Sequence, residues 1–97
     1  ENNIPKVHVV KIDIEGAELY ALQGASKFLE EYKPIIYLEI SIENLKVYPY
    51  TEKEILDFFI THNYSLFDMH SNKQCTLENI STIVLEHDTF IAKPNTN

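Results

Sequence analysis

Ile12-Asp13-Ile14-Glu15-Gly16-Ala17-Glu18 is the stretch where one structural period gives way to another. Upstream, Val7 to Ile14 carries apolar side chains at positions 7, 9, 10, 12 and 14. The run is rich in β-branched residues and nearly continuous, as expected of a parallel strand covered on both faces. Downstream, Leu19, Leu22, Ala25 or Ser26, Leu29 and Tyr32 recur at three- and four-residue steps, which predicts a helix from about Ala17 to Tyr32. A strand that ends on a carboxylate and turns at once into a helix marks the ligand crevice of open α/β sheets, beyond the carboxyl ends of the strands.

The same alternation continues outward. Gly24 interrupts the first helix at a cost of about 1 kcal/mol relative to alanine, and close packing on the sheet is the expected reason. Lys33-Pro34 ends that helix, because the residue before proline disfavours helical backbone. Ile35 to Ile40 reads as a second strand, apolar up to Glu39. Strand, helix and strand at this spacing make a βαβ unit with parallel strands. Ser41 to Tyr50 reads as a loop. Thr51-Glu52-Lys53-Glu54 is a capping box, opening a helix to about His62 that buries Ile55, Leu56, Phe59 and Ile60. Asn63 is a left-handed stop. Ser65 to Met69 is a third strand. Within residues 70–87, Leu77, Ile80, Ile83 and Val84 suit a short helix, the favoured reading, while Thr82-Ile83-Val84 also suits a strand; Thr89 to Pro94 is a last strand before a polar tail.

Composition sets the bounds. A chain of 97 residues has room for one small domain, and 44% hydrophobic residues can supply its core. Eight basic and fifteen acidic residues give a net charge of −7, which argues against nucleic acid and anionic membranes as partners. The single Cys75 cannot form an internal disulfide, and neither it nor His8, His62, His70 and His87 shows metal-ligand spacing. A reducing, cytoplasmic setting fits this usage. No apolar run is long enough to span a bilayer. The chain opens on Glu1 rather than Met, so a fragment or a processed chain is expected.

The acids at the strand ends are the candidates for chemistry. Asp13 would face the crevice, orienting a substrate hydroxyl, acting as base or holding a cation; otherwise it caps the following helix by accepting its free amides. Glu39 ends the neighbouring strand, and paired strands lie about 5 Å apart, so the two carboxylates can converge. Paired acids share a proton, which raises one pKa, or bind a hard cation such as Mg2+ through oxygen. The plainer alternative is a rim carboxylate paired with a lysine. Glu15 lies in the first helical turn, where a carboxylate suits the helix dipole or a substrate contact. His70 follows a strand and is a further candidate for binding substrate.

Three segments together resemble the FkbM-type methyltransferase family. They are Lys11-Ile12-Asp13-Ile14-Glu15-Gly16-Ala17-Glu18, Leu22-Gln23-Gly24-Ala25, and Lys33-Pro34-Ile35-Ile36-Tyr37-Leu38-Glu39. The resemblance implies an α/β fold that is part of a Rossmann-like methyltransferase sheet. Its parallel strands would be joined by crossover helices, with the last strand inserted antiparallel between its second and third neighbours. It also implies an O-methyltransferase that uses S-adenosylmethionine on a hydroxyl of a small molecule or sugar. Asp13 and Glu39 would be the catalytic or metal-binding pair. The family binds its cofactor through an N-terminal half with a glycine-rich turn, whereas this chain has only Gly16 and Gly24. Residues 1–97 are therefore expected to be one partial domain, the C-terminal half, inactive alone. The reading from a different class is a non-catalytic α/β binding module using the same rim. Strand Val7–Ile14 would have one bare edge, with homodimer formation through it as the expected consequence.

Overall fold

The computed structural model describes residues 8–95. In chain order the elements are β1 (Val9–Ile12), α1 (Glu18–Gly24), α2 (Ser26–Tyr32), β2 (Ile35–Glu39) and α3 (Ile42–Leu45), then α4 (Glu52–Thr61), β3 (Tyr64–Asp68), α5 (Ile80–Ile83) and β4 (Thr89–Pro94). The four strands form one sheet in the order β1-β2-β4-β3. β1 and β2 are parallel, with Val9 opposite Ile35 and Ile12 opposite Leu38. β4 runs antiparallel to both of its neighbours, β2 and β3. This is a mixed α/β arrangement with the last strand inserted between its second and third predecessors. The start of the expected first strand, at Val7, and the end of the tail lie outside the described residues.

Alternation along the strands decides which face is core. Ile36 and Leu38 on β2, Phe90 and Ala92 on β4, and Tyr64 and Leu66 on β3 are all buried. Register aligns them in rows, Ile36 with Ala92 and Leu66, and Leu38 with Phe90. Leu22 and Leu29 from the first two helices, and Ile55, Leu56 and Phe59 from α4, join the same cluster. Full burial of each such side chain contributes about 1.5–3 kcal/mol relative to exposure. The opposite face carries the row Lys11, Tyr37, Ile91 and Phe67, and none of these four is buried. The expected double cover is therefore corrected: β1 alternates between exposed and half-buried positions, and Val9 is 59% exposed. An apolar run on a sheet edge reads like a covered strand whether or not the covering layer is present.

Four further expectations change. The first helix is two, broken at Ala25, whose φ of −103° and ψ of 14° leave the helical region. A Cβ at Gly24 would meet nothing within 4 Å, so close packing is not its reason; it marks the kink, a usual place for glycine. Ser41 to Tyr50 is not all loop, since Ser41 accepts from the Asn44 amide at 3.3 Å and caps the short α3. Ile60 is 50% exposed, because it falls outside the face of α4 defined by Ile55, Leu56 and Phe59. Other local readings hold. Glu54 accepts from the Thr51 amide at 2.7 Å, the reach-back half of the capping box. Lys33 ends α2 at φ 46°, and Asn63 follows α4 at φ 64°. The short helix in residues 70–87 is α5, and β4 spans Thr89–Pro94 as expected.

Candidate functional site

The turn after β1 is built by residues the strand-end rule passes over. Glu15 and Gly16 both have positive φ, 55° and 106°. A Cβ at Gly16 would stand 2.5 Å from the Asn44 carbonyl oxygen and 2.7 Å from the Tyr48 ring, so only glycine fits there. Tyr50 donates its hydroxyl to the Gly16 carbonyl, and its ring stacks on Tyr48 with centroids 5.6 Å apart. Glu18 is 1% exposed and its carboxylate accepts from the Ile14 amide at 3.2 Å and the Gly16 amide at 3.0 Å. No side chain caps α1; Glu18 instead holds the amides of the turn before it. Asp13 is left exposed and free to face the rim.

Asp13 and Glu39 come together. β1 and β2 stay in register through Ile12 and Leu38, so the next residues, Asp13 and Glu39, lie side by side at the carboxyl ends of two parallel strands. Both line a groove of about 480 Å³ on the open face, together with Lys11, Tyr37, Met69 and Thr89. The Glu39 pKa is raised, first by burial, then by the negative charges of Asp13, Asp88 and Glu18, and by hydrogen bonding to Asp13. A carboxyl pair of this kind can share a proton and so present one donor and one acceptor to a hydroxyl. Glu15 is exposed and does not line this groove.

A second cluster stands further along the same rim. Asp68, at the end of β3, is 1% exposed and accepts four hydrogen bonds. They come from the His70 amide at 3.1 Å, the Ser71 amide at 3.3 Å, the Ser71 hydroxyl at 2.7 Å and His87 Nδ1 at 2.7 Å. Burial alone would raise the Asp68 pKa; these bonds and the charge of His87 outweigh it and hold it down to about 2. His70 stacks on His87 with ring centroids 4.5 Å apart. Of these residues only His70 stood out in the sequence. The rule that selected Asp13 and Glu39, an acid at a strand end, also fits Asp68. Nothing local marks His87, which lies nineteen positions from its partner.

The lowered pKa has a consequence in acid. Because Asp68 titrates lower folded than unfolded, it stabilises the fold above its ordinary value of 3.8, and this is lost as pH falls from there through about 2. The loss is on the order of 2 kcal/mol. Asp68→Asn is expected to flatten this part of an acid-unfolding curve measured by circular dichroism.

Neither implied ligand finds a complete seat. S-adenosylmethionine needs backbone that the cofactor can approach closely. The space beside Gly16 is filled by Asn44 and Tyr48, and Gly24 sits on a helix beside open space, so the described residues do not fit the cofactor. For magnesium, Asp13 and Glu39 offer oxygen ligands of a suitable kind. No group of three or more His, Cys, Asp or Glu side chains is placed to hold a metal among the described residues. No described helix is long and apolar enough to cross a membrane.

Comparison with known proteins bears on these segments. No curated protein matches the chain, and no solved structure does. The family model described as the methyltransferase FkbM domain matches residues 1–66, which take in β1, the Gly16 turn, β2 and most of β3. The match covers the Asp13–Glu39 pair and ends before Asp68, and it spans more than half of the chain: this protein belongs to the FkbM methyltransferase domain family.

Proposed function

We propose that this chain supplies the acceptor side of an S-adenosylmethionine-dependent O-methyltransferase. In it, the Asp13–Glu39 pair binds and orients a hydroxyl of a small molecule or sugar. The observation that carries the reading is the convergence of these two carboxyls in one groove at the carboxyl ends of parallel strands. Bound elsewhere in such an enzyme, S-adenosylmethionine supplies an electrophilic methyl group. This chain's own residues hold the hydroxyl. The protonated carboxyl donates to its oxygen, the ionised one accepts its hydrogen, and the fixed geometry replaces a chance encounter. The sheet then corresponds to the C-terminal half of a Rossmann-like methyltransferase domain. Mg2+ is the other way of using the pair. Sensitivity to EDTA, restored by added magnesium, separates metal from proton sharing. The buried thiol of Cys75, its pKa pushed up to about 12 by burial, suits a reducing cytoplasm.

Calorimetry with S-adenosylmethionine tests the division of labour. The chain alone is expected not to bind it in the low micromolar range. A low micromolar dissociation constant would contradict the reading and require a complete site. Joined to the cofactor-binding half of another family member, the chain is expected to bind the cofactor and transfer a labelled methyl group to a hydroxyl compound. Cofactor binding without transfer across sugars, polyols and simple alcohols would favour the non-catalytic module.

The chain alone should also self-associate. β1 pairs with β2 on one side only among the described residues. Beside that edge, Val9 and the 43% exposed Ile14 leave apolar surface in water, at about 25 cal/mol per Å². Lys11 and Asp13 are its only charged interruptions. A homodimer or larger aggregate is expected by light scattering after size exclusion. A monomer whose melting temperature is independent of concentration would show that the edge is covered.

A further inference from the structure

The groove that holds the carboxyl pair is lined by one other charged residue, Lys11, two positions before Asp13. Residues two apart on a strand share a face, so Lys11 and Asp13 follow one another about 7 Å apart, as do Tyr37 and Glu39 on β2. Parallel register sets Lys11 level with Tyr37. All four line the same groove, on the face opposite the buried Ile36 and Leu38. Lys11 is exposed, and its ammonium is uncommitted. The ion pairs among the described residues are Lys46 with Glu43 and His87 with Asp68. The charges that act on Glu39 come from Asp13, Asp88 and Glu18, all of them negative. The pairing of a rim carboxylate with a lysine, the plainer alternative for Asp13 and Glu39, is therefore not formed among the described residues. What stands in its place is a free cation about 7 Å along the strand from the carboxyl pair.

We propose that the acceptor is a hydroxy acid, such as a sugar acid, with its carboxylate on Lys11 and the hydroxyl to be methylated at Asp13 and Glu39; this rests on the methyl-transfer reading above. The two ends of the groove then lie about one sugar ring apart, and the half-buried Tyr37 lines it beside Lys11. A carboxylate suits this groove better than a phosphate does. A pair that shares one proton keeps one negative charge, which the ammonium balances. A carboxylate then adds a single charge, whereas a phosphate brings nearly two into repulsion with the pair. The net charge of −7 does not oppose the contact, because at physiological salt charges further off than about 8 Å are largely screened.

Methyl glucuronide and methyl glucoside differ by one carboxylate, and NMR titration of the chain with each tests the assignment. The glucuronide is expected to bind roughly two- to fivefold tighter, the scale of an exposed ion pair, and to shift the amide signals of Lys11, Asp13, Tyr37 and Glu39. The preference should vanish in Lys11→Met, persist in Lys11→Arg and shrink with added salt. Glucose phosphate should bind no tighter than the glucuronide. Equal affinity for the two glycosides, binding of neither, or a preference that survives Lys11→Met would overturn the proposal. Tighter binding of the phosphate would overturn the carboxylate in favour of a phosphorylated acceptor. In the chain joined to a cofactor-binding half, kcat/KM is expected to be higher for the glucuronide, and Lys11→Met should raise its KM. Equal transfer to both glycosides would overturn the hydroxy acid and leave methyl transfer standing. A fusion that binds the cofactor and the glucuronide but transfers to neither glycoside would overturn methyl transfer and leave Lys11 as the anion contact.

Discussion

Asp13→Asn and Glu39→Gln are each expected to cut methyl transfer about a hundredfold or more in the chain joined to a cofactor-binding half, the scale of losing one positioned proton-handling group. Both changes keep shape and remove charge. In Asp13→Asn the neighbouring Glu39 loses the charge and the hydrogen bond that help raise its pKa. The pair no longer carries a shared proton, and the acceptor loses one of its two anchors. Folding should change little, because Asp13 is exposed and the turn is held by Glu18. The check is steady-state kinetics beside thermal melts. A large fall in turnover with an unchanged melt supports a site role, whereas a parallel fall in both would place Asp13 and Glu39 in the scaffold. The double variant should lose little more than either single one, because residues acting as a unit are not additive.

Gly16→Ala is the change with the largest expected effect on the fold. At φ 106° an L side chain is strained, and its Cβ would press on the Asn44 carbonyl and the Tyr48 ring. Backbone strain of about 1–2 kcal/mol and overpacking of about 1–3 kcal/mol add to roughly 3 kcal/mol. In a domain of this size that lowers the melting temperature by roughly 10–25 °C. The neighbouring atoms cannot yield easily. One is backbone, and the other belongs to an aromatic stack that also fixes the Gly16 carbonyl through Tyr50. A melt within a few degrees of wild type would show that the turn is looser than its geometry states.

Element types and the carboxylate pair were legible because they rest on local signals. The apolar period changes at Asp13, Pro34 ends a helix, and a threonine and a glutamate three apart start another. Asp13 and Glu39 were found together because parallel strands in register bring their ends side by side. The inserted position of β4 came from family resemblance, since no local pattern distinguishes it from an added edge strand. What stayed hidden depends on contacts distant in sequence or on layers outside the strand. Whether β1 is covered on its second face cannot be read from Val9 and Val10, which look alike whether they are packed or bare. Glu18 reads as a dipole-favouring acid, yet it holds the turn because its side chain folds back on Ile14 and Gly16. His87 meets Asp68 only after α5 and the following turn have folded. Gly24 shows the opposite error, a glycine assigned to packing that serves a kink.

The central claim is that Asp13 and Glu39 act as one proton-sharing unit, and carboxyl-carbon NMR of the chain over a pH series tests it most directly. The account predicts that Glu39 titrates above its ordinary value of 4.5 and that Asp13→Asn moves it down. Titration of Glu39 at its ordinary value, unmoved by Asp13→Asn, would contradict it.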